Sequence, residues 1–120
     1  CDSQYCYKIS GCCLLVHTDY IRSINYFDEN VFLYTEEAIL AKQIERDNKQ
    51  MYYLAEAQAI HRHIKNEKGD PIKHIRQWKR SRIYFIKHYS NDTHMGKQIA
   101  IIAMCLYVAV ITVMLKLKKR

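Results

Sequence analysis

Phe27-Asp28-Glu29-Asn30-Val31-Phe32-Leu33-Tyr34-Thr35-Glu36-Glu37 is the stretch on which the fold turns. Its first four residues, with Asn25 and Tyr26 before them, carry turn-forming Asn and Asp and read as an ordered loop. Its end reads as a helix start. Thr35 stands where an N-cap belongs, and Glu36 and Glu37 fall in a first turn, where the helix dipole favours carboxylates. The predicted helix runs to about Asp47, with Ile39, Leu40, Ala41 and Ile44 as its apolar stripe. Glu37 precedes Leu40, Ala41 and Ile44 by three, four and seven residues, so it lies on the buried edge of that helix. One carboxylate therefore faces something other than bulk water.

Upstream, Ile9 to Val16 (Ile9-Ser10-Gly11-Cys12-Cys13-Leu14-Leu15-Val16) is a nearly continuous apolar run, the pattern of a strand buried on both faces. Gly11 within it permits a close backbone approach. Thr18 or Asp19 can cap a short helix through about Ile24. Downstream, Met51 to Leu54 and Ala57 to His63 read as two short extended segments. In the second, His61 and His63 share one face, as metal ligands or donors to a diphosphate would, or as an ordinary polar strand end. A polar loop, Asn66 to Pro71, follows.

From Ile72 to Tyr89, apolar residues drift around a helix that also carries Lys73, Arg76, Lys79, Arg80, Arg82 and Lys87, amphipathic and cationic. Ile99 to Leu115 is then 17 residues without a formal charge, closed by Lys116, Lys118, Lys119 and Arg120. A transmembrane helix needs about 20 apolar residues, with about 17 as the lower limit, so this segment just spans a membrane, lies in its interface, or packs against a part of the protein outside these residues.

The whole chain has 120 residues, a net charge of +7, 49% hydrophobic residues, three Gly, one Pro and ten Tyr. Such a composition excludes collagen-like and disordered polar chains, and the length suits one small domain. The charge is segregated: residues 1–61 carry a net −4, residues 62–97 a net +7, and residues 98–120 four basic groups and no acid. An acidic region is thus joined to a segment suited to an anionic surface. Cys1, Cys6, Cys12, Cys13 and Cys105 are odd in number and contain no C-x-x-C pair, which suits small apolar side chains in a reducing compartment better than a disulfide framework.

The block from Phe27 to Glu37, with Ser10-Gly11-Cys12-Cys13-Leu14-Leu15-Val16 before it, resembles the acceptor half of inverting family-2 glycosyltransferases, rhamnosyltransferase-like enzymes that build bacterial capsules and O-antigens. That family shows S-G-x-x-L-L-V, then F-D-E-x-x-F-L-Y-x-E-(D/E), a helix, an extended segment ending in His, and a basic helix, in the order seen over roughly residues 8–90 here. The resemblance implies an α/β fold, the C-terminal part of a GT-A-type, Rossmann-like domain. Residues 1–70 would be its acceptor-side part, 71–94 a basic amphipathic helix and 95–120 an apolar membrane-associated or transmembrane helix. It implies Glu37 as general base beside Glu36, Gly11, Asp28 and Glu29 at the acceptor, and His61 and His63 on the diphosphate or metal side. The implied donor is a nucleotide-diphosphate sugar, the acceptor a polysaccharide or lipid-linked sugar, the cofactor Mg²⁺ or Mn²⁺, and the place the cytoplasmic face of the membrane. The family's D-x-D metal motif is absent from these residues, so the donor-binding half is expected outside them. Two other classes fit parts of the chain: a membrane-anchored nonenzymatic module, and a nucleic-acid binder using residues 72–89, whose Trp78, Tyr84, Phe85 and Tyr89 interleave with Lys and Arg. The acidic first half would repel phosphate and disfavours the nucleic-acid reading.

Overall fold

The computed structural model describes residues 2–31, 33–62 and 69–118. In chain order its elements are β1 (Gln4–Cys6), α1 (Thr18–Ser23), α2 (Glu36–Arg46), β2 (Met51–Tyr53), α3 (Pro71–His88) and α4 (His94–Leu117). Cys1–Glu29 and Glu36–Lys65 form one compact unit, and Asn30–Thr35 with Asn66–Arg120 form a second.

In the first unit β1 and β2 pair antiparallel, with Gln4 opposite Tyr53 and Cys6 opposite Met51. The Ser3 hydroxyl, just before β1, donates to Glu56 and accepts from the Ala55 amide at 2.8 Å, clamping the chain beyond β2. Residues 9–16, expected as a buried strand, are instead turn and irregular chain, with Leu15 wholly exposed. A strand buried on both faces needs hydrogen-bonded neighbours and covering layers, and the ladder of the described residues consists of β1 and β2 alone. Helix α1 is likewise not capped by Thr18 or Asp19: His17 is its N-cap and makes no side-chain capping bond.

Both α1 and α2 end alike. Asn25 (φ 60°) and Asn48 (φ 53°) take the left-handed conformation that stops a helix. After α2, the Lys49 amide reaches the Ile44 carbonyl at 2.9 Å and the Asn48 amide the Glu45 carbonyl at 3.0 Å; after α1, Tyr26 and Asn25 bond Ile21 and Arg22 in the same way. Asn is the side chain that most readily substitutes for Gly in this role. Helix α2 buries Ile39, Leu40, Gln43 and Ile44, and Ile39 is almost wholly enclosed.

In the second unit α3 begins at Pro71, whose missing amide costs nothing there, and Asp70 caps it by accepting from the Ile72 amide at 3.1 Å. Helix α4 is capped by the Thr93 hydroxyl, which accepts from the Gly96 amide at 3.1 Å. The two pack as an antiparallel hairpin: Lys97 Nζ donates to the Lys87 carbonyl at 3.3 Å, and further along Trp78 and Tyr107 rings meet at 6.3 Å. Ser81 of α3 is 1% exposed. Its hydroxyl donates to the Leu33 carbonyl at 2.7 Å, and its carbonyl accepts from the Thr35 hydroxyl at 3.4 Å. Those bonds, with Asn30 Nδ2 on the Tyr84 hydroxyl at 3.0 Å, hold residues 30–35 to α3.

Candidate functional site

Helix α2 presents Glu37 one turn before Leu40, half-buried as its spacing requires. Glu37 Oε1 accepts from the Gly11 amide at 3.0 Å. A Cβ at Gly11 would stand 2.9 Å from Glu37 Oε1 and 3.0 Å from its Cγ, closer than side chains normally approach. Gly11 has no positive φ, so glycine is needed here for space and not for backbone conformation. Two residues singled out separately by sequence are thus in direct contact.

Glu36, also in the first turn, is half-buried; its Oε2 is enclosed and has no hydrogen-bond partner among the described residues. Backbone strain sits immediately before this acid pair. Tyr34 (φ 64°) and Thr35 (φ 93°) both have positive φ, and for a β-branched residue that is an outlier of the kind that persists where a site is over-determined. The Thr35 hydroxyl donates to the Ser81 carbonyl.

The remaining candidates are less closely drawn in. Asp28 is half-buried and Glu29 exposed, both in the irregular stretch after α1. His61 is exposed in irregular chain after β2, where an extended segment was expected, and His63 lies outside the described residues. Among the described residues no group of three His, Cys, Asp or Glu side chains is placed to hold a metal ion.

A cavity of about 720 Å³ opens within the first unit beside the C-terminal part of the Glu37 stripe. Leu40 and Ile44 of α2 line it, with Leu14, Val16, Met51 and Tyr52, and polar groups from His17, Asp19, Tyr20 and Lys49. Sequence reading passed over Tyr20. Its hydroxyl donates to Asp47 Oδ2 at 3.2 Å, and Lys49 Nζ stands 5.5 Å from the centre of its ring. Burial first, and then the bond to Asp47, pushes the Tyr20 hydroxyl up to about 12. The single available signal was the aromatic ring on a very short helix, whose partner Asp47 lies 27 residues on.

Compared with curated proteins, the chain is similar to enzymes that transfer sugars. Two relatives, both N-acetylglucosaminyl-diphospho-decaprenol L-rhamnosyltransferase, from Mycobacterium tuberculosis strains CDC 1551 / Oshkosh and ATCC 25618 / H37Rv, are each 27% identical to it over 88 residues, 73% of this chain. The chain spans 27% of the length of these relatives. No family model and no solved structure matches it.

Proposed function

We propose that this chain supplies the acceptor side and the general base of an inverting glycosyltransferase of the GT-A type, which moves a sugar from a nucleotide-diphosphate donor to a lipid-linked or polysaccharide acceptor at the cytoplasmic face of a membrane. The observation that carries the proposal is the half-buried Glu37, fixed through Oε1 by the Gly11 amide. The named relatives, whose acceptor is a sugar on diphospho-decaprenol, support the lipid-linked choice.

An acceptor hydroxyl is a weak nucleophile, and a carboxylate in hydrogen-bond reach removes its proton as it attacks. The Gly11 amide holds one oxygen of Glu37, and no other hydrogen bond of the described residues engages the side chain, so Oε2 is available for that proton. The acceptor oxygen forms its bond to the anomeric carbon on the face opposite the leaving group. The bond from that carbon to the diphosphate breaks, its electron pair leaves with the nucleoside diphosphate, and configuration inverts. Glu36 stands beside the base as a positioning residue, and Asp28 and Glu29 are acceptor contacts in this reading. His61 and His63 are assigned to the diphosphate side.

The test is transfer of labelled sugar to a lipid-diphosphate-linked acceptor by membranes containing the protein, wild type against Glu37→Gln. A positioned base contributes about 10²–10⁴-fold, and Glu37→Gln is expected to lose that much while keeping its helical content. Transfer at the wild-type rate removes Glu37 from the role.

A further inference from the structure

Helix α4 is long and apolar enough to cross a membrane, and the stripe it exposes lies opposite the side, around Val108, that packs on α3. Helix α3 is divided differently. By the helical step, Lys73, Arg76 and Arg80 fall on one of its faces, and Pro71, His74, Ile75 and Trp78 on the other. With Tyr34 and Gly69 the second group lines a cavity of about 400 Å³, wholly within the second unit. None of these six residues carries a carboxylate, an ammonium or a guanidinium. The wall is aromatic and apolar, with polar groups supplied by Tyr34, His74 and Trp78.

Tyr34 is held in this place from three sides. The Ser81 hydroxyl donates to the carbonyl before it, of Leu33, at 2.7 Å, and the Thr35 hydroxyl after it donates to the Ser81 carbonyl at 3.4 Å. Its own hydroxyl is hydrogen-bonded to His74 Nδ1 at 3.3 Å. The φ of 64° at Tyr34 is a strained conformation that these bonds maintain. The ring nonetheless stays 37% exposed, as one that meets a ligand must. His74 in turn depends on Gly69, where a Cβ would run into Nε2. One hydrogen bond leaves the Tyr34 oxygen a further lone pair, and among the described residues no hydrogen bond engages the Trp78 indole N–H.

A ligand suited to such a wall is uncharged, has an apolar face to lay on the rings, and is edged with hydroxyls. A gluco-configured pyranose has that form, because its equatorial hydroxyls leave C–H groups on both faces of the ring. A nucleotide base would stack as well, but its phosphates need cations, and those of α3 lie on the opposite face. We infer that Tyr34, His74 and Trp78 form a subsite for a neutral, gluco-configured sugar ring of the acceptor. Tyr34 precedes Glu36 and Glu37 by two and three residues in the chain. The inference deepens the acceptor side of the proposed function and rests on it. Its test reads sugar binding with no donor present, so its failure is distinguishable from the failure of Glu37 as base.

The full chain, in a detergent without a sugar headgroup, would be titrated with methyl β-D-glucopyranoside while the fluorescence of Trp78, the one tryptophan, is followed. Expected is a saturable change with a dissociation constant of about 1–10 mM, the range of a single small ring on an open site. Saturation-transfer NMR should be strongest at the C–H protons of one face of the sugar. Tyr34→Leu, and His74→Ala at an exposed position, should each weaken binding about 10-fold with helical content unchanged. Tyr34→Phe, which keeps the ring, should lose less. The pair Lys73→Gln and Arg76→Gln, on the other face, should bind the sugar as the wild type does. No saturable change overturns the inference, as does a Tyr34→Leu or His74→Ala variant that binds as tightly as the wild type. Displacement of the sugar by uridine 5′-diphosphate would assign the cavity to a nucleotide instead, and also overturns it.

Discussion

Glu37 and Gly11 set the finest scale at which function can be probed. Gly11 has an ordinary backbone conformation, so alanine is accommodated there except for its contact with Glu37. Because the atoms in the way belong to a flexible carboxylate, the variant Gly11→Ala should change stability by less than about 1 kcal/mol while pushing Glu37 aside. A displacement of about 1 Å can cost about 100-fold in rate, and thermal melting with the transfer assay would separate the two effects. Unchanged transfer by Gly11→Ala would mean that this contact does not position the base. Tyr20 offers a second handle. Its hydroxyl, raised from about 10 to about 12, keeps its proton in the fold at a pH where the unfolded chain has released it. The unfolded state then binds fewer protons, so stability falls as pH rises from about 10 to about 12. Tyr20→Phe should flatten that decline in urea titrations run across this window. At this scale the sequence showed which residue types matter but not which meet: Glu37 was legible from its helical spacing, whereas Tyr20 and Asp47 join from positions 27 residues apart, which no local pattern announces.

The helices were legible because their signals are local. Acidic residues open α2, the cationic amphipathic spacing marks α3, although its capping Asp70 and its first residue Pro71 read as loop, and a charge-free run makes α4. The ladder was not, since Gln4 finds Tyr53 far along the chain, and the apolar run that looked like a strand has no neighbour to bond among the described residues. The helix ends carry a sharper prediction. Asn48 ends α2 in the left-handed region, where Gly is freer still and a Cβ-bearing residue without a local hydrogen bond is penalised. Asn48→Gly should therefore be neutral or slightly stabilising, and Asn48→Ala destabilising by about 1 kcal/mol, as measured by chemical denaturation. Equal midpoints for the two variants would show that the cap does not limit α2.

For the molecule as a whole, charge segregation was legible from composition, but its geometry was not. The sequence left α4 free to span or to lie flat, and only the register against α3 bears on the choice. Each cation held at mid-bilayer would cost about 2.5–3.5 kcal/mol on an insertion scale, so the packed partner weighs in that choice beside the apolar length. The division into units has its own test. Residues 30–35 belong with α3, so a chain ending at residue 70 would leave Asn30, Leu33 and Thr35 without Tyr84 and Ser81, to which they are hydrogen-bonded in the intact protein. Such a chain should be trimmed by protease within the 30–35 segment, where the full chain resists. Comparable resistance in both would show that the segment is held without α3. The same arrangement matters while the protein is being made. Thr35 leaves the ribosome 46 residues ahead of Ser81, and at about 5–20 residues per second that interval lasts roughly 2–9 s. For those seconds the threonine just ahead of the acid pair has no helix to bind, and a chaperone would find it open.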